Sequence, residues 1–319
     1  MVWDMPILVA GGAGFIGGQL VQRLTGAGAR VRATLHKADP REPVEGVDYV
    51  RADLRSLDDC NRVCDGMTAV FMAAANTQGA AVMTRSPLAH VTPNVVMNTH
   101  MLDAAHGAGA RKFVFISSGA AYPDTGGRPV TEGEMFDGEP AEVYHAVAWM
   151  KRYAEILCET YARRIDHPLP CLVVRPSNVY GPGDDFDPVT SHVTAALVRR
   201  VATRETPMDI WGTGEDIRDL IYIDDFLDGL MIAFADRAPY RELNICGGEG
   251  VSVKDILFTA MAVDGFTDAD IRYDPKKPST ASVRLLDGRF AREKFGFVPK
   301  IGLEEGLRRT LAWYRKTFS

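Results

Sequence analysis

Apolar residues in the first half of the chain fall into short runs separated by stretches with helical spacing. Ile7–Ala10, Arg30–Leu35, Ala69–Ala73, Lys112–Ile116 and Cys171–Val174 are rich in Val, Ile, Leu and Phe, as strands buried on both faces are. Between them, Gly18–Gly26, Val95–His106 and Glu142–Arg164 carry amphipathic patterns that predict helices. Strand and helix in alternation predict βαβ units and a doubly wound parallel sheet. After Pro176 the texture changes. Gly181-Pro182-Gly183-Asp184-Asp185 is a turn-rich loop, and Ser191 to about Thr203 reads as a helix. Asn244-Ile245-Cys246 predicts a last sheet strand, and Gly302–Thr317 a terminal helix. No repeat, low-complexity tract or flexible linker is visible. The expected molecule is α/β, with a sheet domain over 1–176 plus about 216–246. A smaller, discontinuous α/β lobe over about 177–215 plus 247–319 is woven out of it.

The first strand runs into Gly11-Gly12-Ala13-Gly14-Phe15-Ile16-Gly17. Glycine at 11 permits a tight turn, glycine at 14 lets a pyrophosphate approach the backbone, and glycine at 17 allows close helix–strand packing. The free amides and positive dipole end of the following helix then face the phosphates. In this strand–turn–helix setting the pattern predicts a Rossmann-type dinucleotide site. The second strand ends Thr34-Leu35-His36-Lys37, with no acid to take the adenosine ribose 2′-hydroxyl. His36 and Lys37 suit a 2′-phosphate instead, so NADP(H) is expected ahead of NAD(H). Asp53-Leu54 follows the third strand, where it can flank the adenine. Ala73-Ala74-Ala75 supplies the small residues that a strand end pressed against a cofactor needs.

The 319 residues are 46% hydrophobic and 24% charged, with a net charge of −6, ordinary values for a globular protein. The absence of a Lys/Arg-rich run argues against a nucleic-acid partner. No apolar stretch is long enough to span a bilayer, and no basic, cleavable leader opens the chain, so a cytoplasmic protein without a membrane partner is expected. The five cysteines form no CxxC pair and no zinc spacing, and read as buried free thiols. Asp184, Asp185 and Asp187 lack the calcium-loop pattern, and no metal site is expected.

Several longer motifs then carry a resemblance over nearly the whole chain. They include Asn178-Val179-Tyr180-Gly181-Pro182, Ser191-His192-Val193 with Leu197-Val198-Arg199-Arg200, and Trp211-Gly212-Thr213-Gly214. Arg218-Asp219-Leu220, Lys277-Pro278, Arg284-Leu285-Leu286-Asp287 and the closing Ile301–Leu307 complete the set. The chain resembles extended short-chain dehydrogenase/reductases of the nucleotide-sugar epimerase/dehydratase group, most closely the GDP-L-fucose synthases. The resemblance implies that Ser118 is the active-site serine and that Lys151 binds the nicotinamide ribose. It implies that His192 acts as an acid during epimerisation. Asn178, Arg200, Trp211, Arg218 and Lys277 would surround a nucleotide-diphosphate sugar, whose phosphates arginine and lysine suit through charge-assisted hydrogen bonds. It also implies a homodimer that packs the lysine-bearing helix of each subunit.

Two positions depart from the family. Its tyrosine lies four residues before the lysine, one helical turn away; here that residue is Val147. Tyr144 is seven residues back, roughly 10 Å along an ideal helix, and either exchanges the proton or packs at the helix entry. His145 is a weaker substitute. The cysteine that the synthases carry two residues past the serine is Ala120 here, which offers no base for proton abstraction. The stretch Ser118–Tyr122 also lacks the Asp-Glu pair of sugar 4,6-dehydratases. Three readings follow: an NADP-dependent oxidoreductase/epimerase acting at C4 of a GDP-linked (4-keto) hexose, a C3 or C4 epimerase of another nucleotide sugar, and a binding protein that has lost catalysis.

Overall fold

The computed structural model describes residues 5–76, 88–275 and 283–318. In chain order these form β1 (Pro6–Ala10), α1 (Phe15–Gly26), β2 (Arg30–Leu35), β3 (Asp48–Arg51), α2 (Leu57–Cys64) and β4 (Ala69–Met72). Next come α3 (Leu88–Gly107), β5 (Lys112–Ile116), α4 (His145–Arg163), β6 (Cys171–Pro176), β7 (Asn178–Tyr180) and α5 (Val193–Ala202). The last part holds β8 (Met208–Trp211), β9 (Ile217–Tyr222), α6 (Ile223–Phe234), β10 (Tyr240–Ile245), β11 (Gly250–Ser252) and α7 (Val253–Asp264). It ends with β12 (Ile271–Asp274), β13 (Val283–Arg284), α8 (Arg289–Phe295) and α9 (Leu303–Phe318).

Seven parallel strands form the main sheet in the order β10-β6-β5-β4-β1-β2-β3. Alternate residues of each central strand serve different cores, which explains why the runs are continuously apolar. Ile7, Val9, Phe71, Val114 and Leu172 pack on one side with Leu20 and Leu24 of α1 and Phe226 and Leu230 of α6. Leu8, Ala10, Met72, Phe113 and Val173 pack on the other with Met101 and Leu102 of α3 and Cys158 of α4. The sheet is thus covered on both faces, a Rossmann-type α/β fold.

A second sheet runs β11-β9-β13, with β7 also paired to β9, and β8 pairs with β12. Of the stretch around 216–246, β9 lies in the second sheet and β10 in the first. All five cysteines are free and buried. Among the described residues, no helix is long and apolar enough to cross a membrane, and no cluster of His, Cys, Asp and Glu has metal-binding geometry.

The predicted helix over Glu142–Arg164 opens with a 3₁₀ turn, Glu142–Tyr144, which runs directly into α4 at His145. Tyr144 buries its ring in a satellite cluster with Tyr122, Val130, Met135 and Leu286. Its amide closes the turn on the Ala141 carbonyl at 2.8 Å.

Candidate active site

The glycine turn is built for close approach. Gly11 has φ +87°, and a Cβ there would lie 2.7 Å from the Ala74 Cα, so turn and β4 end meet backbone to backbone. A Cβ on Gly17 would lie 2.1 Å from the Gly11 carbonyl oxygen, so only glycine lets α1 start against the turn. Gly14 sits exposed as the residue before α1, and Phe15 and Ile16 open the helix half-buried. Thr34 fixes the turn from β2: its hydroxyl accepts from the Gly11 amide at 2.9 Å and its carbonyl from the Gly12 amide at 2.9 Å. This role of Thr34 carries no sequence signal.

His36 and Lys37 extend from β2 into solvent. Arg51 stands beside them, donating to the His36 and Ala38 carbonyls at 3.0 and 3.1 Å. Asp53 pairs with Arg55 at 2.6 Å, and that bond holds its carboxyl well below the ordinary range. Leu54 is buried next to it, while exposure rises from half-buried Ala73 and Ala74 to open Ala75.

Ser118 follows β5 in extended backbone, and its hydroxyl accepts from the Ala120 amide at 3.1 Å, capping a short 3₁₀ turn. Lys151 lies nearly two turns into α4 with 9% of its surface exposed. Its Nζ donates to the Ile116 carbonyl at 2.7 Å and sits 4.8 Å from the Phe115 ring centroid. Burial pushes the amine down to about 8, against a smaller opposing pull from Glu155. Lysine and serine are therefore both anchored to the end of β5.

The remaining groups meet on the second sheet. Parallel pairing of β13 with β9 sets Arg284 opposite Arg218, so the two side chains share a face. The Arg284 guanidinium stacks 4.9 Å over the Tyr144 ring, and its Nη2 donates to Asn178 Oδ1 at 2.7 Å. Its Nη1 is buried with no hydrogen-bond partner among the described residues. Arg218 is 5% exposed; burial lowers its basicity, while Tyr144 and Asp216 raise it and Arg284 lowers it further. His192 is the exposed residue that precedes α5, with no side-chain bond to the helix end. Lost solvation and the Arg284 charge hold its imidazole below the ordinary value. Tyr144, Asn178, His192, Arg218 and Arg284 thus form one cationic constellation. Arg284 is its centre, and sequence reasoning gave it no role beyond membership of a motif.

Arg200 reaches the backbone of β8, the strand that ends in Trp211. Arg200 donates to the Asp209 carbonyl at 2.6 Å and pairs with Glu205 at 3.2 Å, and Trp211 is 46% exposed. Lys277 lies outside the described residues.

Comparison with known proteins follows this geometry. The model of the family described as "NAD dependent epimerase/dehydratase family" matches residues 7–246. A probable GDP-L-fucose synthase 1 of Oryza sativa subsp. japonica is 32% identical over 253 residues, covering 77% of this chain and 75% of its own. A dTDP-4-dehydro-6-deoxy-D-allose reductase of Streptomyces bikiniensis is 28% identical, covering 97% of this chain and 96% of its own. Among solved structures, a UDP-glucose 4-epimerase of Thermotoga maritima with UDP-glucose superimposes with a TM-score of 0.89 at 29% identity, covering 99% of this chain and 100% of that one. With a glycine turn, serine and buried lysine set on a doubly wound sheet, and three-quarters of its length inside the family's boundaries, the chain belongs to the NAD dependent epimerase/dehydratase family of extended short-chain dehydrogenases, whose members act on nucleotide sugars.

Proposed function

We propose that the protein is an NADP-dependent oxidoreductase/epimerase of a GDP-linked (4-keto) hexose, with hydride transfer at sugar C4. The observation that carries this reading is the meeting of Tyr144, Asn178, His192, Arg218 and Arg284 within a fold that also holds Ser118 and Lys151 at the end of β5. A dinucleotide fits the turn, because Gly11 and Gly17 leave space that any Cβ would fill. His36 and Lys37, with no acid closing β2, support NADP(H) over NAD(H). Asp53, Leu54 and Ala73–Ala75 would flank the adenosine and nicotinamide halves.

When bound, the cofactor supplies the hydride. Lys151 holds the nicotinamide ribose, and Ser118 donates a hydrogen bond to the sugar C4 oxygen. Tyr144 exchanges the proton at that oxygen, standing in for the tyrosine that Val147 replaces. Arg218, Arg284 and Asn178 hold the diphosphate and sugar, His192 lies at the sugar's edge, and Arg200, Trp211 and Lys277 contact the nucleotide end. The sheet domain carries the cofactor and the second lobe the sugar nucleotide, with the division near 176, 216 and 246. The GDP assignment leans on relatives named GDP-L-fucose synthase and GDP-mannose 3,5-epimerase. Trp149, Tyr153 and Ile156, each 39–47% exposed, form an apolar stripe on α4, which supports a homodimer through that helix. Five free thiols suit a reducing, cytoplasmic setting.

Purified protein mixed with NADPH and GDP-4-keto-6-deoxymannose is expected to lose nicotinamide absorbance in step with sugar. No loss, with NADPH binding shown separately, counts against this reaction. A second reading, a binding protein without turnover, is favoured by Val147 and Ala120 and predicts binding of both ligands with no chemistry.

A further inference from the structure

Behind Ser118 and Lys151 lies a buried polar network that the proposed reaction does not use. Glu155 follows Lys151 by four residues on α4, so both side chains share a face. It is fully buried. Its carboxylate accepts from the Ser117 hydroxyl and from Arg175 of β6, with Nη2 at 2.6 Å and Nε at 3.2 Å. Arg175 in turn donates through Nη1 to the Tyr122 hydroxyl at 2.9 Å and the Glu132 carbonyl at 2.7 Å. Tyr122 donates to Asn244 of β10 at 2.7 Å. Five segments therefore close around one carboxylate.

That carboxylate is adjacent to both anchors of the candidate chemistry. Lys151 Nζ is held by the Ile116 carbonyl, Ser117 bonds back to Val174 at 2.8 Å, and Ser118 is the next residue. Arg175 pairs with Glu155 directly, while Lys151, one helical turn before Glu155, bonds instead to the Ile116 carbonyl. From the elements around α4, Arg175 faces Glu155 from β6. Arg152 feels both of them from α4 itself. Tyr122 and Glu132 lie beyond Arg175. Glu155 raises the Lys151 amine against the cost of burial, and its charge also acts on Tyr240 of β10 and Cys158 of α4.

We infer that Glu155 is a positioning residue with two tasks: through Ser117 it fixes the strand end that presents Ser118, and through its charge it keeps Lys151 protonated. An ordinary buried ion pair would only tie α4 to β6. The inference rests on the reading that Lys151 serves the cofactor, so the test separates the two.

The test titrates Lys151 directly, by the ¹³Cε shift of lysine-labelled protein, with Lys151→Met identifying the resonance. Glu155→Gln keeps the shape and removes the charge, with one acceptor oxygen replaced by an amide NH₂ facing Ser117 or Arg175. The Lys151 midpoint is expected to fall by about 1–2 pH units, the scale for opposite charges one helical turn apart at an effective dielectric of about 20. NADPH affinity, read by fluorescence, then weakens at correspondingly lower pH. Ser117→Ala removes a donor but no charge: it should leave the midpoint in place and speed amide exchange over 116–118 about tenfold. An unmoved midpoint in Glu155→Gln overturns the inference, and so does an equal fall in Ser117→Ala, which would mark general loosening. If the midpoint falls and NADPH affinity does not follow, Glu155 keeps its role and the ribose role of Lys151 is lost. Should Glu155→Gln fail to fold, Glu155→Asp retains the charge at greater distance, and the inference requires a smaller fall in the same direction.

Discussion

Replacing Lys151 by methionine is expected to stabilise the protein while abolishing its chemistry. Lys151 is 9% exposed, and burial lowers its amine from 10.5 to about 8, a penalty of about 3 kcal/mol for carrying the charge in the folded state. Methionine has a similar unbranched stem and no charge. It forfeits the 2.7 Å bond to the Ile116 carbonyl, which costs about 1 kcal/mol. The net gain is then about 2 kcal/mol at pH 7, or a urea midpoint raised by roughly 0.5–1 M. The sign with pH is specific. Below about 8 the amine is protonated in both states and the whole penalty acts. Between there and 10.5 the unfolded chain binds more protons than the folded one, so the native protein gains stability as pH rises. The advantage of methionine should therefore shrink and be close to zero by about pH 9.5. Urea titrations of both proteins at pH 7 and 9.5, without cofactor, measure it. A methionine variant no more stable at pH 7, or equally favoured at both pH values, refutes the account of Lys151 as a charge held at a cost. Turnover that survives the substitution refutes its role in the reaction.

Three further substitutions test other parts of the site. Tyr144→Phe keeps the ring beneath Arg284 and removes the hydroxyl, so kcat should fall about 10²- to 10⁴-fold with little change in urea midpoint; an unchanged kcat assigns the proton to another group. Gly17→Ala puts a Cβ 2.1 Å from the Gly11 carbonyl oxygen, which should cost about 1–3 kcal/mol of stability and weaken NADPH binding at least about tenfold by calorimetry. Native affinity in that variant would show that the turn does not cradle the cofactor. Lys37→Glu places an acid at the exposed end of β2 and should cut the NADPH-to-NADH affinity ratio by about tenfold or more; a constant ratio would show that this position does not read the 2′-phosphate.

The sheet was legible because its central strands are buried on both faces, so each prints an unbroken apolar run such as Ile7–Ala10 or Phe113–Ile116. The glycine turn was legible because its demands are local: a close approach at Gly17 and a positive φ at Gly11. Tyr144 was harder. Helical spacing covers Glu142 onward, but what surrounds the Tyr144 ring is packing with Tyr122, Val130 and Leu286, remote in sequence. Arg284 was quoted in a motif without a role, because its position comes from a two-residue strand paired to β9, too short to leave a periodic signature. Glu155 and Arg175 were invisible for a different reason. A charged residue within a helix or strand reads as a solvent-facing position, and only the fold shows both at 0–2% exposure, each solvating the other. What escaped the sequence was in each case a contact between residues far apart along the chain.

The same geography bears on whether the sugar is reduced or epimerised. Reduction of a sugar ketone takes one hydride at carbon and one proton at oxygen. Ser118 and Tyr144 supply a hydrogen bond and a proton source for that oxygen on the proposed reading. Epimerisation beside the ketone asks for more: a base to take a proton from carbon and an acid to return one on the opposite face. Ala120 is half-buried beside Ser118 and carries no ionisable group, so the base is missing where the synthases keep it. His192 can serve one half of such a pair, and with its imidazole held below the ordinary value by burial and Arg284 it is neutral at pH 7. A neutral imidazole accepts a proton readily, but among the described residues no ionisable side chain stands at position 120 to act with it from the other side of the ring. The arrangement therefore favours net reduction with configuration retained at the neighbouring carbons. With a 4-keto sugar in deuterated water, one NADPH should disappear per product formed and no deuterium should enter at C3 or C5. Deuterium at either carbon would mean that a base outside this constellation reaches the sugar ring.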